Sequence, residues 1–358
     1  MTDIVAQNTP GIGYILDEIS DLVSRHMVVL DAEAKVVALW VAHTHVFRSF
    51  QHTPRLAITS PEKQCGKSTL LKILSEICYN PLKTDNITAA AIFRAVSASD
   101  GMTMLIDEAD TFFNGREEIR GILNSGFEET GSVSRTEASD GSYKPRHFST
   151  FCPVAIAGIG LLPSTIMDRA VSVRLKRKAP GEKVERLPRP CPDFDRLKGL
   201  LKTWADSIDL SQHLNPDTPV SFEDRQTDIS IPLLAIADSA GGDWPVAARV
   251  ALTEIFGASG IGQQAASAST ILLGDIRGVF TASGKDFLTS AIVCTALEEI
   301  EGHPWSDCNR GRPINPAELA RMLAPFGIKP IQCRLTKPVR GYRREDFEDA
   351  WLRYTPKT

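Results

Sequence analysis

Two short stretches hold the residues whose types and spacing could do chemistry. The first is Pro61, Glu62, Lys63, Gln64, Cys65, Gly66, Lys67, Ser68 and Thr69; the second is Asp107-Glu108, at the end of the apolar run Met104-Leu105-Ile106. The first reads as a phosphate-binding loop in all but its opening glycine. In such a loop, consecutive backbone N–H groups and a helix N-terminus hold phosphate oxygens. Lys67 would reach the β- and γ-phosphates of ATP, Ser68 would ligate Mg²⁺, and Asp107 would hold that ion from the far side. Glu108 would polarise the attacking water. Pro61 stands where the first glycine is usual, and proline has a fixed φ and no N–H to donate. The cradle would therefore rest on residues 63 to 69; the alternative is a degenerate loop that does not hydrolyse.

The flanking elements fit that chemistry. Residues 55–60 read as a short buried strand, and residues 68–78 carry Leu70, Leu71, Ile73, Leu74 and Ile77 at helical spacing, so strand, loop and helix come in the required order. Two helices are expected within residues 13–50. His43 and His45 lie in the second at i and i+2, a spacing that does not share a helical face, so packing rather than metal binding is the default. From 55 to 175 apolar strands alternate with helical segments, as in α/β folds. A β-hairpin is expected about Asp140-Gly141, and residues 151–157 read as the next buried strand. The proline-rich, charged stretch 176–193 reads as a linker. Beyond it come helical patterns to about 256, a helix over 285–300, a helix opened by Asn315-Pro316, and a last helix over 344–353.

At 358 residues the chain has room for two or three domains. We expect an N-terminal helical segment (1–50), a core (51–178), a linker (179–193), a helical lid (194–268) and a basic domain (269–358). A net charge of −4 gives no global nucleic-acid signature, so any DNA contact must be local. The charge is concentrated between 303 and 344, where nine Lys/Arg face two acids; Lys337, Arg340, Arg343 and Arg344 are the candidate DNA contacts, with a solvated basic face as the alternative. Lys144, Arg146 and His147 of the hairpin are a second candidate. Seven scattered cysteines without a C-x-x-C pair argue against a disulfide framework and a zinc site, and for a reducing compartment. No basic leader and no membrane-length apolar run is evident, so a cytoplasmic location is expected.

The stretch 162–175 places Arg169 between a short helix and a strand. It is similar to the position of the arginine finger in ring-forming ATPases of the AAA+ class, which reaches a neighbouring subunit's site; a salt bridge to Asp168 is the alternative. No polar residue stands near 155–158, where a water-positioning group would be, and Asn124 is a candidate by composition only. Arg225 and Arg249 both lie in the lid region, and either could be a second sensor of nucleotide.

Further stretches carry a resemblance to a family. They are residues 42–47, 54–68, 105–110, 153–158, the run Ala235-Ile-Ala-Asp-Ser-Ala-Gly-Gly-Asp-Trp-Pro and Gly341-Tyr-Arg-Arg-Glu-Asp-Phe. With these the chain resembles the domain of unknown function 3631 family over almost its whole length, and Pro61 is normal in that resemblance. It implies a P-loop NTPase (AAA+-like) α/β core with N-terminal helices, a helical lid and a C-terminal winged-helix-like domain. It further implies a prophage, plasmid or mobile-island ATPase of the replicative-helicase kind, acting on single-stranded or forked DNA as a homo-oligomeric ring. Any primase would be a separate polypeptide. The competing class is a non-helicase ATPase: a loader, a protein remodeller or a phage-defence sensor. A weaker third is a DNA-binding regulator that uses ATP only to change oligomeric state.

Overall fold

The computed structural model describes residues 10–113, 116–139, 142–160, 162–259, 266–300, 303–309, 312–334 and 338–354. The chain divides into two units: Met1–Ser60, Gln64–Leu175 and Val184–Ala258 form one; Pro61–Lys63, Lys176–Lys183 and Ser259–Thr358 form the other.

The first unit opens with helices α1 (Ile12–His26) and α2 (Asp31–Val46). The alternating region follows: β1 (Arg55–Ser60), α3 (Lys67–Ile77), β2 (Pro81–Thr84), α4 (Ala89–Ala98), β3 (Thr103–Ile106), α5 (Ala109–Phe112), α6 (Glu117–Ser125), β4 (Ser132–Ser139), β5 (Ser142–Ser149), β6 (Val154–Ile159), α7 (Ser164–Met167) and β7 (Ala170–Arg174). Helices α8 (Pro192–Ser207), α9 (Asp224–Ala240) and α10 (Trp244–Ser259) complete it. Five strands form one sheet in the order β2-β3-β6-β1-β7, and every neighbouring pair is parallel. A parallel sheet is covered on both faces, which is why the inner strands β3 and β6 read as nearly continuous apolar runs. Leu56 and Ile58 of β1 join the core formed with α1, α2, α3 and α8–α10, whereas Ala57 joins the opposite core with Met104, Ile106, Val154, Ile156 and α4–α7. The stretch 194–268, read from sequence as a lid, therefore holds most of three helices, α8, α9 and α10, that join the same apolar cluster as α1–α3.

Helix α2 is buried nearly all round, as expected of a helix apolar on every face. Trp40 Nε1 donates to Pro54 O at 2.7 Å, His43 Nε2 meets Thr53 Oγ1 at 2.9 Å, and His45 Nε2 meets Ile77 O at 2.8 Å. Both histidines thus pack and bond. Burial pushes their pKa values down, to about 3 for His43 and about 4 for His45. Strands β4 and β5 pair from Ser132↔Ser149 to Ser139↔Ser142, the expected hairpin, with its turn residues 140–141 outside the described set.

The second unit contains α11 (Ala266–Ser283), β8 (Phe287–Thr289), α12 (Ser290–Glu298), α13 (Pro316–Leu323), β9 (Ile331–Arg334), β10 (Pro338–Arg343) and α14 (Glu348–Tyr354). Its antiparallel sheet has the order β8-β10-β9, over a core that includes Phe280, Trp305, Tyr342, Phe347 and Trp351. The helix expected over 285–300 starts only at Ser290, because Phe287–Thr289 pair with β10 instead. Thr289 then caps it, its Oγ1 accepting from Ile292 N at 3.3 Å. Asn315 caps α13 as anticipated, Oδ1 accepting from Ala317 N and Glu318 N at 3.0 and 2.9 Å. Between β7 and α8 the chain has neither helix nor strand. Arg177 Nη2 donates to Lys63 O at 3.2 Å, and Glu182 is ion-paired to Arg353 at 2.7 Å.

Candidate functional site

Strand β1 ends at Ser60 and α3 begins at Lys67. Within the turn between them, Gln64 (φ 65°) and Gly66 (φ 96°) adopt left-handed backbone. Alternation of left- and right-handed residues is how a chain forms an anion-binding concavity of N–H groups. A Cβ on Gly66 would stand 3.3 Å from Met27 Cβ, so glycine is required there by φ and favoured by space. Lys67 Nζ donates to Ser60 Oγ at 2.5 Å. Ser68 is exposed in the first turn of α3. The helix is held by the apolar face Leu70, Leu71, Ile73, Leu74 and Ile77, which fixes the direction of its N-terminus.

The acidic pair follows β3. Asp107 N donates to Thr84 O at 3.3 Å, and Asp107 Oδ1 accepts from Glu108 N at 3.0 Å. Lys83 Nζ of the adjoining β2 lies 3.7 Å from Asp107 Oδ2, a neighbour that sequence reasoning missed because parallel pairing of β2 with β3 is a tertiary fact. Glu108 sits at φ 52°, ψ 46°. Left-handed backbone at a non-glycine residue is uncommon and costs of order 1–3 kcal/mol, and such strain concentrates at functional sites. Only β6 separates β1 from β3. The loop and the acidic pair thus leave the same C-terminal edge of a parallel sheet, with strand axes roughly 10 Å apart from the ordinary inter-strand spacing. That edge is where open α/β sheets bind ligands.

As anticipated, no polar side chain ends β6 among the described residues; Gly160 N donates to Ser60 O at 3.0 Å. Asn124 is not the missing group. Leu123 O accepts from Arg55 Nη2, which places this end of α6 at the N-terminal edge of the sheet, opposite the phosphate loop. Arg169 is at that same far edge: Arg55 N donates to Arg169 O at 2.9 Å. Its Nη1 donates to Thr165 O at 2.9 Å, and its Cζ lies 5.9 Å from the Phe127 ring centre. Arg225 Cζ lies 5.2 Å from the same ring. Arg249 is tied into the fold instead: Nη1 and Nη2 donate to the two carboxylate oxygens of Asp238 at 2.7 and 3.0 Å, and Nε donates to Asp217 O at 3.0 Å.

The candidate DNA contacts lie in different places. Lys144 and Arg146 are exposed on β5, Arg146 with its Cζ 5.0 Å from the Phe148 ring centre; His147 Nδ1 meets Ser134 Oγ at 2.9 Å. In the second unit, Arg340 lines a groove of about 620 Å³ with Arg321, Lys329, Gln332 and the small side chains of α13. Arg343 is ion-paired to Glu345 at 3.0 Å, an acid just beyond the basic stretch as counted from sequence. Arg344 N donates to Asp286 O at 2.9 Å. Lys337 lies outside the described residues.

Set against known proteins, the chain is 34% identical over 188 residues to an uncharacterized 28.9 kDa protein in the xis 5′ region of Saccharopolyspora erythraea, covering 51% of this chain and 69% of that one. Among solved structures, the ORC2 protein of Aeropyrum pernix (ADPNP-ADP complexes) aligns over 94% of this chain and 95% of that one, at 12% identity and a TM-score of 0.34. The apo C-terminal region of NrS-1 aligns over 94% and 76%, at 11% identity and a TM-score of 0.33. Both scores fall below the level of a shared fold. The family match covers residues 174–354, not almost the whole chain, so the phosphate loop and the acidic pair lie outside it and rest on their own geometry. Within it, Asp238 holds Arg249, Trp244 Nε1 donates to Asp17 Oδ1 at 3.1 Å, and Tyr342 and Phe347 are fully buried. Residues 174–354 match the family described as protein of unknown function (DUF3631), and to that family this chain belongs.

Proposed function

We propose that the chain is an ATP hydrolase that works on DNA as an assembly of copies, with helicase or translocase activity in the replication of a phage or mobile element. The observation that carries the ATPase reading is the common edge of β1 and β3, where a glycine-requiring loop with Lys67 faces a strained acidic pair. Loop N–H groups and Lys67 would hold the triphosphate. Ser68 and Asp107 are hard oxygen donors, and two of them suffice for Mg²⁺, which keeps waters and substrate phosphates as its other ligands; the ion would neutralise phosphate charge. Among the described residues no cluster of three or more His, Cys, Asp or Glu offers a different metal site. Glu108 would take the proton of a water whose oxygen attacks the γ-phosphorus. The bond to the bridging oxygen then breaks, its electron pair leaving with ADP. Arg169, at the opposite edge of the sheet, would serve another copy's nucleotide.

The order helix, strand, two helices and two strands in the second unit supports a winged-helix reading, with Lys329 and Arg340 beside the groove as its candidate phosphate contacts, whereas Arg321 is ion-paired to Glu318. The pairing of Arg343 with Glu345 favours, by contrast, the second reading, a loader or protein remodeller without strand separation. The deciding experiment measures ATP hydrolysis with and without single-stranded DNA, beside strand displacement on a forked duplex. DNA-stimulated hydrolysis with displacement supports the helicase; hydrolysis indifferent to DNA supports the remodeller; no hydrolysis removes both.

A further inference from the structure

Three arginines meet at the N-terminal edge of the parallel sheet. Arg55 is 1% exposed and donates to Cys152 O at 2.6 Å and to Leu123 O, while its Nε has no hydrogen-bond partner. Arg169 and Arg225 are half-buried and hold their guanidinium groups 5.9 and 5.2 Å from the centre of the Phe127 ring, which is itself fully buried. Arg169 Nε is likewise buried without a partner. Burial and then the Arg225 charge weaken the proton affinity of Arg169. Burial also brings Arg55 down to about 10, and Arg169 adds to that effect. The acids nearby are Glu128 and Asp168, both exposed and acting on Arg169 as neighbouring charges, and Asp228, 3.5 Å from Arg225.

Like charges gathered against one aromatic ring cost stability, which an anion would restore. Guanidinium forks with donors to spare match phosphate oxygens in geometry as well as charge. The chain's own phosphate loop cannot supply that phosphate: it leaves the other end of β1, a strand of six residues that spans about 16 Å. We propose that Arg225 acts beside Arg169 as a second trans-acting cation, the pair receiving the γ-phosphate end of a nucleotide held by the phosphate loop of another copy of this chain. This rests on the ATPase reading above. Sequence left open whether Arg225 or Arg249 is a second sensor of nucleotide; the bidentate bond to Asp238 occupies Arg249, and the proposal gives Arg225 a role in trans.

The test uses full-length Arg225→Ala and Arg225→Lys, with Arg169→Ala and Lys67→Ala for comparison. Binding of a fluorescent ATP analogue and the steady-state rate are measured for each alone and in mixtures. Arg225→Ala should bind nucleotide as wild type does and lose about 10²-fold in kcat, the scale for removing one donor to developing charge. Arg225→Lys keeps the charge and the packing stem and should lose less. An equimolar mixture of Arg225→Ala with Lys67→Ala should regain at least tenfold over either alone, since some interfaces then join an intact loop to an intact arginine pair. Wild-type turnover by Arg225→Ala overturns the proposal. So does failure of rescue in mixtures where Arg169→Ala is rescued, and so does a loss of DNA affinity with turnover unchanged, which would make the patch a nucleic-acid contact. Absence of hydrolysis in wild type overturns the ATPase reading itself, an outcome readable without any Arg225 variant.

Discussion

Glu108 holds an uncommon backbone conformation at the position where a water-activating carboxylate is wanted. Replacing it by Gln keeps the shape and removes the base, so kcat should fall by about 10²–10⁴-fold while nucleotide binding persists. Lys67→Ala should lose binding itself. Nucleotide affinity and single-turnover rates separate the two effects, and wild-type turnover in Glu108→Gln would sink the role of Glu108. The strain makes a second prediction. Asn tolerates left-handed backbone better than Glu, so Glu108→Asn should be at least as stable as wild type, gaining up to about 1 kcal/mol, while hydrolysis is lost. A lower melting temperature for that variant would show that Glu108 has a structural role.

At the scale of elements, β10 shows why one family-like stretch is structural. A Cβ on Gly341 would stand 2.2 Å from Leu288 O of the paired strand β8, so only glycine allows that approach. Next to it Tyr342 enters the core, and Asp346 Oδ2 accepts from Arg343 N at 3.3 Å. Gly341→Ala should push β10 off β8 and destabilise the second unit by about 1–3 kcal/mol, the range for overpacking. Urea unfolding followed by tryptophan fluorescence checks it, since Trp305 and Trp351 are both in that unit's core. The candidate DNA contacts of the second unit make a different prediction. Alanine at Lys337, Arg340, Arg343 and Arg344 should flatten the dependence of DNA affinity on salt, by about 0.9 in log–log slope for each duplex phosphate that is no longer neutralised. Basal ATP hydrolysis should stay nearly unchanged. Anisotropy at several salt concentrations reads the slope; an unaltered slope would move the DNA-binding surface to Lys144 and Arg146.

For the whole molecule, the buried histidines tie stability to pH. His43 and His45 have folded pKa values well below that of an exposed histidine, because burial opposes their charge. The unfolded chain therefore binds more protons below about pH 6.5, and stability falls as pH falls, until the folded values near 3 and 4 are reached. Each group contributes a slope of about 1.4 kcal/mol per pH unit well inside that window. Denaturant titrations at several pH values between 6.5 and 4.5 should show a shallower loss in His43→Gln. An identical slope there would mean that His43 titrates normally in the folded chain.

Local information settled much of this protein. The order strand, loop and helix about Gly66-Lys67, the Asn315 cap and the Asp140-Gly141 hairpin rest on apolar spacing, capping chemistry and turn preference, all of which act within a few residues. The packing roles of His43 and His45 were legible for the same reason. What sequence left open depended on contacts between distant segments. Phe287–Thr289 reads as helix until β10 arrives to pair with it. Arg225 and Arg249 are alike as residues, and only packing gives one a bidentate carboxylate and the other a place beside Arg169. That Arg169 stands at the opposite edge of the sheet from Lys67 follows from the parallel register of β1 with β7. A register is decided by which strands the helices bring together, and no local stretch of residues carries it.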